Sequence, residues 1–293
     1  MPLDLAQFQK TLIYQHSGTI SEICADLLEL SQFDALHERL RSRWGWSALA
    51  LVPIGLVSAF VSSPLNHASM PALVWLGVCF AAIVVCVVQW IRHRRADLAN
   101  RRYELANEVL RLLERDSSKE ATINLRLDLR SPNHASKKQR DGTIGVWKVK
   151  YFVDPWLDLS GRFLDGTSYR LIGVEKFQAR KKSYRSRSGK YKSKSKTKSS
   201  TQVTLSLKPS AKRYAEIEQI GTKLDAAVQL PNWASSRSVG AANGRVFLTT
   251  MTKSDWSGQP RSPKSTGNSG PHLVAMMFLS LYQALNQSRV ARA

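Results

Sequence analysis

Between Trp44 and Ile91 the chain carries no Lys, Arg, Asp or Glu. Acidic residues are scarce throughout, 22 against 43 basic, and the formal charge of +21 makes an anionic partner the expectation: nucleic acid, acidic lipid or an acidic protein. The three cysteines, Cys24, Cys79 and Cys86, form no CxxC pair and no metal-ligand spacing, which leaves no disulfide framework and fits a reducing compartment. There is no P-loop, GxGxxG, HExxH or GxSxG. None of the six histidines, His16, His37, His67, His93, His134 and His272, stands at a ligand spacing from another donor, except His37 beside Glu38, a pair that cannot share one helix face. Asp154, Asp158 and Asp165 fall at strand ends or turns, where Asp serves backbone geometry. The sequence therefore assigns no catalytic residue, metal or cofactor, and the protein reads as non-enzymatic. An apolar content of 43% still excludes wholesale disorder.

The charge-free segment contains two apolar stretches, with spans expected over about 45–63 and 72–91, joined by the polar linker Ser63–Pro71. A spanning helix needs roughly 20 such residues, and Trp44, Trp46 and Trp90 stand where interfacial aromatics would. Arg39, Arg41 and Arg43 precede the pair and Arg92, Arg94, Arg95, Arg101 and Arg102 follow it, whereas the linker offers only His67. The expectation is a two-pass transmembrane hairpin in the inner cell membrane with both termini cytoplasmic. Gly55 with Ala59, and Gly77 with Ala81, have the spacing that lets helices pack closely, within the hairpin or in a homo-oligomer. No ionisable side chain marks an ion path.

Residues 1–43 read as short amphipathic helices, marked by Leu5, Phe8 and Leu12, by Ile20, Ile23, Leu27 and Leu30, and by Phe33, Leu36 and Leu40 with Ser31 as N-cap. A long helix is expected over 92–116, continuing the second span, with Ile91, Leu98, Leu105 and Leu112 seven apart. The remainder, 117–293, is expected to be an α+β domain: an antiparallel β-meander with covering helices. Its strands are placed at Ile123–Leu129, Thr143–Val153, Trp156–Leu164, Thr167–Tyr184, Tyr191–Leu207 and Arg245–Met251. Ser131–Gly142, Pro231–Gly244 and Lys253–Gly270 read as loops. One helix capped by Ser210 carries Tyr214, Ile217, Ile220, Leu224 and Val228, and a last helix covers Pro271–Gln287.

Asp165-Gly166 and Ser188-Gly189 read as two-residue hairpin turns. That reading pairs Leu159 with Ile172, Leu157 with Val174, Val174 with Val203 and Ile172 with Leu205, all on one face. It also places Lys190, Lys192, Lys194, Lys196 and Lys198 on one face, opposite Lys181, Arg185 and Arg187, with Tyr184 and Tyr191 on the other. The window 176–198 holds 11 basic residues and no acid. These residues form the candidate polyanion-binding ribbon, and the two tyrosines the candidate stacking surfaces; nucleic acid is favoured slightly over anionic lipid. The function expected is a membrane-anchored, non-enzymatic polyanion-binding protein. The alternatives are an oligomeric membrane-permeabilising effector with a soluble sensor domain, and an enzyme whose site is assembled from distant residues.

Overall fold

The computed structural model describes residues 3–61, 70–95, 98–210, 213–214, 217–220, 224, 226–253, 255–260 and 267–286. The chain divides into two compact units, Leu28–Leu98 and Met1–Leu27 with Ala99–Ala293.

The first unit is a helical hairpin. It holds most of α2 (Ile20–Val61) and all of α3 (Met70–Arg95). The two run antiparallel. His37 Nδ1 lies 2.9 Å from His93 Nδ1, Gly45 lies against Trp90, and Gly55 faces Cys79. The small residue at Gly55 thus allows close approach, whereas Gly77 has no neighbour at its Cβ position. Trp46, Leu49, Val57, Val74 and Phe80 are exposed.

Among the described residues, however, no helix is long and apolar enough to cross a membrane. The expected transmembrane hairpin, and with it the two-pass inner-membrane location, is therefore not supported. In α2 the uncharged part is the second half of one 42-residue helix whose first half is rich in charge. Gly45, Ser47, Pro53, Gly55 and Ser58 dilute that part further. Residues 62–69, which include most of the expected linker, lie outside the described residues.

Two further expectations for the helices are corrected. Ser31 does not start a helix; its hydroxyl donates back to the Leu28 carbonyl at 2.7 Å within the continuous α2. The long helix over 92–116 is interrupted, because Ala99 leaves helical geometry (φ −82°, ψ 87°) before α4 (Asn100–Glu114) begins.

The second unit is built on an antiparallel sheet. Helix α1 (Leu5–Thr11) is capped by Asp4, which accepts from Ala6 N and Gln7 N, and it ends where Leu12 turns left-handed at φ 52°. That turn releases the chain into β1 (Ile13–Gly18), an edge strand inside a region expected to be wholly helical. There follow β2 (Ile123–Asp128), β3 (Lys138–Ile144), β4 (Trp147–Arg162), β5 (Ser168–Arg185), β6 (Tyr191–Lys208), β7 (Ala234–Ala242) and β8 (Arg245–Lys253). The order across the sheet is β1-β2-β4-β5-β6-β8-β7, with β3 added along the distal half of β4. The expected meander is thus present within a larger sheet. Two short strands, β9 (Trp256–Ser257) and β10 (Asn268–Ser269), pair separately, and α5 (Gly270–Asn286) follows.

The pairing register differs by one residue from the sequence expectation. Leu159 lies opposite Leu171, and Leu171 opposite Leu205. Both turns are longer than two residues. At the first, Phe163 N donates to Thr167 O and Gly166 N to Phe163 O; at the second, Ser186 N donates to Lys190 O and Gly189 N to Ser186 O. Gly166 (φ 83°) and Gly189 (φ 78°) take the left-handed position that closes such three-residue loops. The shift moves Ile172 and Val174 to the outer face. A row of Leu125, Leu159, Leu171, Leu205 and Leu248 crosses five strands, each at most 1% exposed.

Helices α4 and α5 cover this inner face. Leu105, Val109, Leu110 and Leu113 are buried on α4, and Leu273, Met277 and Leu281 on α5. Tyr214, Ile220 and Leu224 of the expected Ser210 helix are also buried; among its described residues Ile217–Ile220 form a tight helical turn and Leu224, Ala226 and Ala227 are α-helical, while residues 211–212, 215–216, 221–223 and 225 lie outside the described residues. Strand β4 bulges between Pro155 and Leu157. The extra residue, Trp156, is buried over Gly173, where a Cβ would come within 3.0 Å of the indole.

Candidate polyanion-binding face

Residue parity along β5 and β6 assigns the ribbon's charges to two faces. Lys192 pairs with Tyr184, Lys194 with Lys182, Lys196 with Arg180 and Lys198 with Gln178, so all eight share the outer face, away from α4 and α5. Lys181, opposite Ser195, and Arg185, opposite Tyr191, belong to the inner side. Arg187 and Lys190 lie in the connecting turn, where Arg185 Nε donates to the Gly189 carbonyl at 3.0 Å. The expected set is therefore divided: Lys192, Lys194, Lys196, Lys198 and Tyr184 stand together, and Lys181, Arg185 and Tyr191 face the other way.

Long-range pairing adds residues that the sequence reading left out. Arg180, Lys182 and Lys176 come from β5. From β4, Trp147 and Tyr151 reach the same face, Tyr151 opposite Gln178 and Val149 opposite Arg180. The rings and cations meet. Lys182 Nζ lies 4.9 Å from the Trp147 ring centroid and 5.4 Å from that of Tyr184. Lys196 Nζ lies 5.8 Å from the Trp147 centroid, and Arg140 of β3 covers Tyr151 at 5.0 Å.

Like charges stand directly across the ribbon at Lys182–Lys194 and Arg180–Lys196, an arrangement that costs stability. Lys192 through Lys198 are exposed, and none has an ion-pair partner among the described residues. Asp158, an acid on the outer face of β4, is already paired with Arg170 at 2.7 Å.

The protein's other charge cluster is buried and internally ion-paired, although Arg102 Nε and Asp154 Oδ1 make no hydrogen bond. Arg102 of α4, wholly buried, donates to Asp154 at 2.7 Å, to Glu175 at 2.9 Å and to the Asp128 carbonyl at 2.7 Å. Arg101 makes two further bonds to Glu175. Lys137 donates to Asp128 at 3.0 Å, and its ammonium stands 2.7 Å from Asp154 Oδ1 without hydrogen-bond alignment. Arg101 and Arg102 also lie against Trp256 and Trp156, whose rings stack at 5.7 Å. Asp154 is thus a buried ion-pair residue rather than a turn residue. Burial pushes the Asp128 carboxyl up, but the bonds from Arg130 and Lys137 outweigh it and hold the group at about 2.

A cavity of about 650 Å³ opens between α4, α5 and the β4–β5 turn, walled by Val109, Leu113, Phe163, Val274 and Phe278. Its Asp165 accepts from Thr167 N and Oγ1 and from the Tyr282 hydroxyl, so the carboxylate is already committed. Among the described residues no group of three or more His, Cys, Asp or Glu could hold a metal ion. Comparison with known families, with curated proteins and with solved structures finds no match for this chain.

Proposed function

We propose that the protein is a binding protein whose outer sheet face engages nucleic acid through its phosphates. One observation carries the reading: Lys176, Arg180, Lys182, Lys192, Lys194, Lys196 and Lys198 share a face on which like charges oppose one another and no acid intervenes. Such an arrangement is unfavourable in isolation and becomes favourable when a polyanion neutralises it. Lys dominates the patch. Its point charge suits phosphate contact rather than the planar bidentate reading of base edges that Arg provides.

The test is titration of the full chain with labelled oligonucleotides at several salt concentrations. Changing Lys192, Lys194 and Lys196 together to Ser should flatten the log–log salt dependence by about 2–3 units, since each phosphate contact contributes roughly 0.7–0.9. Absence of binding at low salt rejects the proposal.

A further inference from the structure

We infer that the nucleic acid this face takes is single-stranded, with its bases stacked on Trp147, Tyr184 and Tyr151. The inference rests on the polyanion reading and adds what the rings contribute. Charge alone cannot distinguish strand types, because duplex and single strand both present phosphates. The aromatics can. All three rings stand on the cationic face, and each has a Lys or Arg group 4.9–5.4 Å from its centroid. In a duplex the bases are stacked on one another and closed to such rings, whereas a single strand can lay its bases on an aromatic sheet surface.

The cation–ring contacts also supply the way in. In the free protein each ammonium or guanidinium rests over a ring, a weak attraction at a surface site. A nucleotide carries both complements at once, a phosphate for the cation and a base for the ring. Binding therefore exchanges one weak contact for a charge-assisted contact and a stack. Lys182 is central to this exchange, since it lies over both Trp147 and Tyr184. An acidic lipid surface fits less well. Insertion into a bilayer interface needs aromatic side chains projecting beyond the cations, and here the cations lie over the rings.

Binding of the full chain to four probes at one low salt concentration tests the inference: a thymidine 20-mer, an abasic 20-mer with the same phosphates, a duplex of equal length, and phosphatidylglycerol vesicles. The thymidine strand should bind about ten-fold more tightly than the abasic strand, and more tightly than the duplex. Trp147→Leu and Tyr184→Leu, made separately and each checked for native far-ultraviolet dichroism, should shrink that ratio, with the loss falling on the thymidine strand. Equal affinity for thymidine and abasic strands overturns the stacking inference and leaves the charge reading standing, as does a loss in the variants that is equal for both strands. Preference for the duplex overturns it too. Tighter binding to vesicles than to any strand replaces nucleic acid with lipid. Binding to none of the four defeats the polyanion reading itself.

Discussion

Arg102 and Asp154 meet at 2.7 Å with neither side chain exposed to solvent, joining α4 to the centre of the sheet. Their sequence positions are 52 apart. Removing one partner of a buried pair leaves a charge in low dielectric, which typically costs about 3–5 kcal/mol. Asp154→Ala should therefore lower stability by that order, read from the urea midpoint. Arg170→Ala, which breaks the exposed pair with Asp158, should change it by less than about 1 kcal/mol. Equal losses at the two sites would contradict the burial assigned to Arg102.

The division of the ribbon into two faces makes adjacent residues behave differently. Lys182→Ser should weaken oligonucleotide binding and reduce its salt dependence by somewhat under one unit, the share of one phosphate contact. Lys181→Ser, facing the other way, should leave both unchanged. Identical effects would show that a flexible loop of charge, not a face, does the binding.

The one-residue register is tested by another adjacent pair. Leu171 is fully buried in the leucine row, and burial of such a side chain contributes roughly 1.5–3 kcal/mol. Leu171→Asp loses this and buries a charge, so it should unfold the domain. Ile172→Asp, on the outer face, should be tolerated. The two-residue-turn register requires the reverse order of sensitivity.

Asp128 links the fold to pH. Its folded value of about 2 lies below the ordinary 3.8, so the carboxylate contributes stability that is complete above the ordinary value and lost as pH falls through the folded one. The difference corresponds to about 2 kcal/mol, lost progressively between roughly pH 5 and pH 2. Urea midpoints at several values across that window should fall more steeply for the natural chain than for Asp128→Asn. Parallel curves would remove Asp128 from the account of acid sensitivity.

The sequence revealed the meander because Ile123, Leu125, Leu127 and Leu129 alternate with polar residues, and because two Gly-containing turns are plain to read. It misled on register because Asp-Gly and Ser-Gly fit both two-residue and three-residue loops, and the choice depends on backbone hydrogen bonds. The two turns agreed with each other only because they shared that assumption. Strand β7 was hidden by its Ser, Gly and Ala, which have low strand preference, although Asn243-Gly244, both left-handed at φ 54° and 68°, marks the turn to β8. A Thr19-to-Glu22 capping box likewise announces the start of α2. The basic residues of the candidate face were visible as composition. Trp147, Tyr151 and Arg140 were not, because only the pairing of β3 and β4 with the ribbon brings them there.

The extra residue at Trp156 changes the parity of everything before it on β4. From Leu157 onward the odd-numbered positions point to the helices; before Pro155 it is the even-numbered Phe152 and Asp154 that do. Delete that single insertion and Trp147 and Tyr151 would turn inward, while Asp154 would emerge among the lysines and cancel part of their field. One inserted residue therefore sorts an entire half-strand, sending the carboxylate to Arg102 and the rings to the cations. A deletion at Trp156 should consequently abolish strand binding and core integrity together, although the residue itself touches neither Lys182 nor any ligand-facing cation.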